Sequence, residues 1–456
     1  MKHPLLNQNN IFVLDATDFL PPHLSGFNIV YAPLANVLFV AEDEIVHKLE
    51  QGYLLPEDSL PTEIAGTVKV LKNRDPQPGL QYVNPDLTDV SVLYILPNYK
   101  CNFSCSYCYA AKGRSDKEMS VENLGRAIAF FLNAEVRNER RPRRIVFMGG
   151  GEPMLSWPLI ENGVALAEKI AEGKGLKILF SIITNGSILT EEKLAFIRSH
   201  DIRMNVSFEI LKEIQELQRG NFDVVASNIK KLLKNDIKVV IRSTVTPDNV
   251  GLLEKMVEEV WRNYSGITAL NLEPVTDSKL DSVSAMSEFL NEYRKNFIAA
   301  LESGRDHGLK IVNSVILAMG QVHRAHCAGS ISVNPEGGIT ACPCFSSPEE
   351  KGYSENLIGK IQADAPVLDR RAYDRILPPD ITESERCRRC YAKYVCAGGC
   401  IHNNLTYGSA VRDIICDHTR EMLRTFLFAR AERQYRQLTG KDLISALSET
   451  RGGGRS

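Results

Sequence analysis

Residues 91–110 read SVLYILPNYKCNFSCSYCYA: an apolar run with strand character, then three cysteines spaced Cys101-x3-Cys105-x2-Cys108. Three thiolates this close in sequence can ligate three irons of a cubane [4Fe–4S] cluster. No fourth cysteine lies near, so the fourth iron would be open to a substrate or cofactor. The competing readings are a zinc knuckle and a group of buried free thiols. Structural zinc takes four protein ligands as a rule, which a triad does not supply.

Working outward, the run before the triad is the first of six candidate strands: Val92–Leu96, Ile145–Met148, Ile178–Ile183, Ile202–Phe208, Val239–Val245 and Thr268–Leu272. Between them, residues 121–136, 159–172, 191–199, 222–235 and 252–264 carry apolar side chains at three- and four-residue steps, the helical period. Strand–helix alternation predicts right-handed βαβ crossovers and a parallel sheet. Six units in a row point to a partial (β/α)6 barrel rather than the full eight. The fold class expected is therefore α/β: a partial barrel over 91–315, a cysteine-rich domain over 316–420, and a small N-terminal α+β domain over 1–90. A C-terminal helix and tail would occupy 421–456.

In the N-terminal unit, residues 27–42 read as two strands around a Pro-containing turn, and residues 44–52 as a short helix ended by Gly52. A polar stretch with Pro56, Pro61, Pro76, Pro78 and Pro85 follows. Such a unit either docks a peptide by strand addition or acts as a strut against the main body. At the other end, residues 417–438 read as an amphipathic helix that packs on the body, and the tail from Arg451 as disordered.

The remaining motifs fall at carboxyl ends of expected strands, where α/β active sites lie. Gly150, Gly151, Glu152 and Pro153 follow the second strand. Glycines there let backbone approach a ligand, although a plain βα turn uses the same residues. Thr184-Asn185-Gly186 ends the third strand, Ser207 and Glu209 the fourth, and Ser243, Thr244 and Val245 the fifth. Arg219 follows in Gln218-Arg219-Gly220. A hydroxyl with a guanidinium suits a carboxylate or ribose.

Taken together, the triad, Tyr107 before its third cysteine, the GGEP run, Ser207 with Arg219 downstream and the six-unit order resemble the radical S-adenosylmethionine superfamily. The resemblance implies that Cys101, Cys105 and Cys108 bind a [4Fe–4S] cluster whose open iron is chelated by the amino and carboxylate groups of S-adenosylmethionine. It places Gly150, Gly151 and Glu152 beside the amino group, and Ser207 and Arg219 near the carboxylate or ribose. Relatives often carry Asp two residues after the Ser, where this chain has Glu209. The cofactor would supply a 5′-deoxyadenosyl radical by one-electron cleavage of its sulfonium, and a barrel interior would shield it.

Eight of the eleven cysteines lie beyond residue 315: Cys327-x14-Cys342, Cys344, Cys387-x2-Cys390-x5-Cys396-x3-Cys400, and Cys416. Alone, the C-x2-C pair reads as a zinc ribbon. Beside a radical triad the field resembles the SPASM extension, which implies two auxiliary [4Fe–4S] clusters. One would use Cys387, Cys390, Cys396 and Cys416, the other Cys327, Cys342 and Cys400. Fully ligated relatives have a further cysteine shortly before the Cys327 position, where this chain offers Gln321, His323 and His326. Cys344 is then a substitute ligand, or the cluster has an open iron and Cys344 is a free buried thiol.

The formal net charge of −2 argues against a general nucleic-acid binder. Eleven cysteines with no secretory signal favour ligation in a reducing cytoplasm over disulfides, and no run is apolar and long enough to span a bilayer. The expected function is maturation of a ribosomally made peptide, with hydrogen abstraction followed by a thioether or carbon–carbon link. A flavodoxin or ferredoxin would supply electrons. The alternative enzyme is a sulfatase maturase that makes formylglycine from a protein Cys or Ser, with Asp277 as its candidate base. A non-catalytic iron–sulfur or zinc scaffold accounts for the cysteines but not for the GGEP run, Ser207 or Arg219.

Overall fold

The computed structural model describes residues 3–73, 81–83, 90–134, 142–276, 278–362, 366–376 and 381–453. Its strands in chain order are β1 (Phe12–Asp15), β2 (Phe27–Ala32), β3 (Val37–Glu42), β4 (Gln81–Val83), β5 (Val92–Ile95), β6 (Arg143–Phe147), β7 (Ile178–Thr184), β8 (Arg203–Ser207), β9 (Val239–Val245), β10 (Ala269–Pro274), β11 (Ile311–Val312), β12 (Gln321–His323), β13 (Ser330–Val333), β14 (Gly338–Thr340), β15 (Leu357–Lys360) and β16 (Val367–Leu368). All six strands expected between 91 and 315 are present, as β5 to β10.

Those six pair in parallel and in sequence order, with registers such as Leu93↔Ile145, Ile145↔Phe180, Ile182↔Met204 and Met204↔Val239. On the face opposite the cavity, Leu93, Ile145, Ile182, Val206, Ile241 and Leu272 are fully buried, as a sheet covered by crossover helices requires. The helices start where the sequence supplies caps. Ser120 accepts from Asn123 N ahead of Val121–Asn133, and Thr190 accepts from Lys193 N ahead of Glu191–Ser199. Gly175, at φ +64°, closes Trp157–Lys174 in the left-handed conformation that favours glycine.

The large sheet extends past the six units at both edges. β11 pairs with β10, and β13 lies parallel to β5, carrying β14, β15 and β16 with it in an eleven-stranded order. The cysteine-rich segment expected over 316–420 is thus continuous with the main sheet through Val333↔Ile95. β12 of the same segment pairs with β4 of the N-terminal unit. A single helix, Ser409–Thr439, runs across the boundary expected at 420 and contains Cys416.

The N-terminal unit is a three-stranded antiparallel sheet, β1-β2-β3, with helices Asp43–Leu54 and Thr62–Lys72. Gly52 does not end its helix. It is buried within the helix, and a Cβ there would sit 2.7 Å from Ile64 Cδ1, so glycine eases the packing of the two helices rather than ending the first. The unit is tied to the C-terminal helices. Phe19 stacks on Phe428 with centroids 4.9 Å apart, and Arg424 donates to Asp18 Oδ2 at 2.5 Å and to Asp15 O at 3.1 Å. The expected disordered tail is corrected as well: Arg451 lies in the helix Leu443–Gly453 and donates to Ser25 O at 2.6 Å. Asp277, Pro76, Pro78 and Pro85 lie outside the described residues. Among the described residues no helix is long and apolar enough to cross a membrane.

Candidate active site

The carboxyl ends of β6 to β10 and the loop after β5 enclose a cavity of about 320 Å³. Cys101, Cys105, Cys108, Tyr107, Gly150, Gly151, Glu152, Ser207 and Arg219 all line it. Residues assigned from separate strand ends are therefore brought together.

The triad loop is sewn to the glycine run. Glu152 N donates to Lys100 O at 2.7 Å, and Asn98 Nδ2 donates to Glu152 O at 3.0 Å and to Ser156 Oγ at 2.6 Å. At Gly151 a Cβ would run into the Lys100 carbonyl and lie 2.5 Å from Asn98 Oδ1, so only glycine lets the two segments meet. The Glu152 carboxylate is taken up by its own chain, accepting from Thr184 Oγ1 (2.6 Å), Asn185 N (2.7 Å) and Met154 N (3.0 Å). Burial pushes its pKa up and these three donors oppose the shift. Glu152 braces β6 against β7, which leaves the backbone of Gly149–Gly151 as the surface offered to a ligand.

The three thiols have positive or donor neighbours. Phe103 N donates to Cys101 Sγ at 3.5 Å, Arg114 Nη2 lies 3.4 Å from Cys108 Sγ, and Arg219 Nη1 lies 3.8 Å from Cys105 Sγ. Burial raises the Cys101 and Cys105 thiols, while Arg114 and Arg219 respectively lower them. Thiolate ligands to a positive group need this kind of support.

Glu209, which sequence reading could not place, is the hub beneath the cavity. It is fully buried. Its Oε1 accepts from the Tyr107 hydroxyl and from Arg219 Nε (2.8 Å), and its Oε2 from Ser243 Oγ (2.5 Å) and Thr244 N (3.0 Å). Arg219 also stacks over the Tyr107 ring, 5.2 Å from its centroid. Burial works against the Arg219 charge, but Tyr107, Glu209 and Cys105 outweigh it and hold the guanidinium firmly protonated. Arg219 therefore presents its Nη atoms, not Nε, to whatever fills the cavity.

Asn271 and Glu273 are among the cavity residues that the sequence reading did not single out. Asn271 Oδ1 is buried and has no hydrogen-bond partner among the described residues. Glu273, near the end of β10, accepts from Ser314 N at Oε2 (2.8 Å), and burial raises its pKa. It lies in the same Leu272–Asp277 stretch that supplied Asp277 as candidate base. Its place on the sixth strand was the available signal. An orphaned amide oxygen, a glycine cradle and three thiols on one wall fit a polar ligand held next to a thiolate-bound cluster.

The later cysteines form two groups. Cys396 is pushed up to about 12, chiefly by burial and then by its neighbours Cys416, Cys390 and Cys387. Arg386 Nη2 lies 3.6 Å from Cys416 Sγ. In the second group, Cys327, Cys342 and Cys344 pack together, and their mutual interaction holds Cys342 low and pushes Cys327 and Cys344 up. Burial, followed by Cys342, pushes Cys400 up to about 11. Cys344 and His402 also line the main cavity. Among the described residues, no three His, Cys, Asp or Glu side chains close on the point a single metal ion would occupy.

Residues 95–260 match the family model described as the radical SAM superfamily. Among curated proteins, the chain is 22% identical over 344 residues to the radical SAM cyclopropyl synthase TigE of Paramaledivibacter caminithermalis, covering 68% of each chain. It is 19% identical over 342 residues to a cysteine-type anaerobic sulfatase-maturating enzyme of Clostridium novyi, covering 70% of this chain and 89% of that one. Among solved structures, anSMEcpe with bound AdoMet and Kp18Cys peptide aligns at a TM-score of 0.58 with 19% identity, over 75% of this chain and 99% of that one. Streptococcus suis SuiB bound to precursor peptide SuiA aligns at 0.50 with 16% identity, over 81% and 87%. At these identities the structural matches establish a shared fold. The segment matched by the family model runs from the end of β5 into the helix after β9, and it is this segment, similar to the radical S-adenosylmethionine superfamily, that carries the triad, the glycine cradle and the Glu209 hub.

Proposed function

We propose that this enzyme modifies a ribosomally synthesised peptide, abstracting a hydrogen and closing a thioether or carbon–carbon cross-link. The observation that carries the reading is the shared cavity. Its walls come from the strand ends that hold the triad and from the cysteine-rich segment, through Cys344 and His402. In this reading β5 to β10 form a partial (β/α)6 barrel with S-adenosylmethionine at its mouth, and residues 316–420 act as the auxiliary-cluster domain. Cys101, Cys105 and Cys108 hold the radical cluster. Cys387, Cys390, Cys396 and Cys416 hold one auxiliary cluster, and Cys327, Cys342 and Cys400 contribute to another. A flavodoxin or ferredoxin is the fitting electron donor.

When bound, cofactor and cluster supply what side chains cannot, a radical able to take hydrogen from an unactivated carbon. The protein's own residues do the rest. Backbone at Gly149–Gly151 and the Nη atoms of Arg219 position the charged end of the cofactor. Phe103, Ile183 and Val275 line the cavity with apolar surface that limits water. Glu273, with Oε2 held by Ser314 N, can take up a proton at Oε1.

The peptide as substrate class is supported by two solved neighbours that hold peptides, one of them a precursor. The small N-terminal sheet adds support. β3 has β2 on one side and no strand on the other among the described residues, and an extended leader could pair there. About a quarter of this chain lies beyond the match that covers 99% of anSMEcpe, which speaks for a task beyond that of the smaller enzyme.

The test is a mass assay. Reduced, iron-loaded enzyme and S-adenosylmethionine are incubated with a peptide bearing a sulfatase-type Cys motif and, separately, with a pool rich in Cys and aromatic residues. Loss of two hydrogens from pool peptides with no aldehyde supports cross-linking. Aldehyde formation on the sulfatase-type peptide overturns it in favour of a sulfatase maturase.

A further inference from the structure

The segment Cys342-Pro343-Cys344 ends β14 in a tight turn, with Phe345 N donating to Cys342 O at 3.2 Å. In an extended strand residues 342 and 344 would project to one face but well apart along it. The turn instead folds residue 344 back, and Cys344 packs against Cys342 in one buried cluster. Cys327 packs against the same cluster. Its φ of +61° is a left-handed conformation that glycine would adopt more easily, and a cysteine kept there argues that the thiol is needed. Cys327, Cys342 and Cys344 pack in one cluster with Phe345, Tyr353 and Ile401, and Cys400 immediately precedes Ile401.

Other donors lie in the same part of the chain. Gln321 lies on β12, paired with β4. His326 Nδ1 donates to Cys396 O at 3.1 Å, towards the other cysteine group. His402 packs by ring contacts between Tyr109 and Phe345.

We propose that Cys327, Cys342, Cys344 and Cys400 together ligate one [4Fe–4S] cluster, with Cys344 as the fourth ligand from within the wall of the cavity that Cys101, Cys105 and Cys108 also line. This deepens the reading above and rests on its assignment of auxiliary clusters. It replaces an open iron, to which a substrate thiolate could bind, by a closed coordination shell. A cross-linked cysteine of the substrate would then approach the cavity without direct iron ligation.

The test uses the full chain, loaded anaerobically with iron and sulfide. Thiol alkylation read by peptide mass spectrometry is compared in loaded and iron-stripped protein. Labelling of Cys327, Cys342, Cys344 and Cys400 is expected to fall together at least tenfold on loading. Unchanged labelling of Cys344 while the other three are protected overturns the proposal, and so does protection of none of the four. In parallel, Cys344→Ala is reduced and its electron paramagnetic resonance spectrum recorded with and without 2-mercaptoethanol. A spectrum that shifts with the added thiol in the variant but not in the parent supports a fourth-ligand role. Spectra identical between variant and parent, both insensitive to thiol, overturn it, as does zinc in place of iron at this site. Protection of Cys101, Cys105 and Cys108 and formation of 5′-deoxyadenosine, measured on the same samples, report separately on the radical site. Failure of that reading is therefore distinguishable from failure of this one.

Discussion

Replacing Glu209 by Gln should destabilise the protein more than any other isosteric change near the cavity. Arg219 keeps only 10% of its side chain exposed and Glu209 none, so the substitution leaves a nearly buried guanidinium without a counter-charge. Breaking a buried pair from one side costs about 3–5 kcal/mol, a large part of the ~5–15 kcal/mol that holds a domain together. Gln cannot recover the loss by reorienting. One end of the wild-type carboxylate faces Arg219 Nε and the Tyr107 hydroxyl, the other Ser243 Oγ and Thr244 N, so all four partners donate to it. The Gln amide nitrogen must meet one of these donor pairs. Removing both charges in Glu209→Gln/Arg219→Met should cost about as much as one single change, leaving a coupling energy of about 2 kcal/mol or more. Urea midpoints of the parent, both singles and the double, read by fluorescence and circular dichroism on anaerobically loaded protein, measure it. Additive singles, or a Glu209→Gln penalty below about 1 kcal/mol, would refute the hub as described.

Further predictions concern the cavity rim and its titration. Gly151→Ala should abolish S-adenosylmethionine binding by equilibrium dialysis, because the added carbon meets the Lys100 carbonyl and Asn98 Oδ1, neither of which can yield. Gly173→Ala, in the helix Trp157–Lys174 with nothing within 4 Å of the new carbon, should bind normally and gain about 0.5–1 kcal/mol of stability. Glu273 is raised by burial, so as a proton acceptor it would be uncharged at low pH, and peptide turnover should rise with pH through a limb above the ordinary value of about 4.3. Glu273→Gln should remove that limb while leaving S-adenosylmethionine binding intact; an unchanged profile would exclude Glu273 as the base.

The strand order from β5 to β10 was legible because each strand is a short run with a buried apolar face, and β5 to β9 are each followed by a helix with a clear apolar period. That information is local. The pairing of β13 with β5 was not legible, because Ile331 and Leu93 are joined by a register that nothing in either short strand specifies. The same holds within the site. Cys101, Cys105 and Cys108 carry their meaning in their spacing, whereas Glu209 gains its role only when Tyr107, Arg219 and Ser243 converge on it. Glu273 and Asp277 are indistinguishable in the sequence as acidic residues of one stretch, and a place on the cavity wall at the end of β10 is what marks Glu273. Gly52 misled because a glycine late in a helix reads as a stop, while here it makes room for Ile64.

The most direct test of the account is 5′-deoxyadenosine formation by anaerobically loaded, chemically reduced protein supplied with S-adenosylmethionine. The parent should form it and Cys105→Ala should not, although the variant keeps the cysteines of the later groups and the iron they hold. Equal formation by both proteins, or none by a parent with its full complement of iron, would contradict the assignment of the triad as the radical centre.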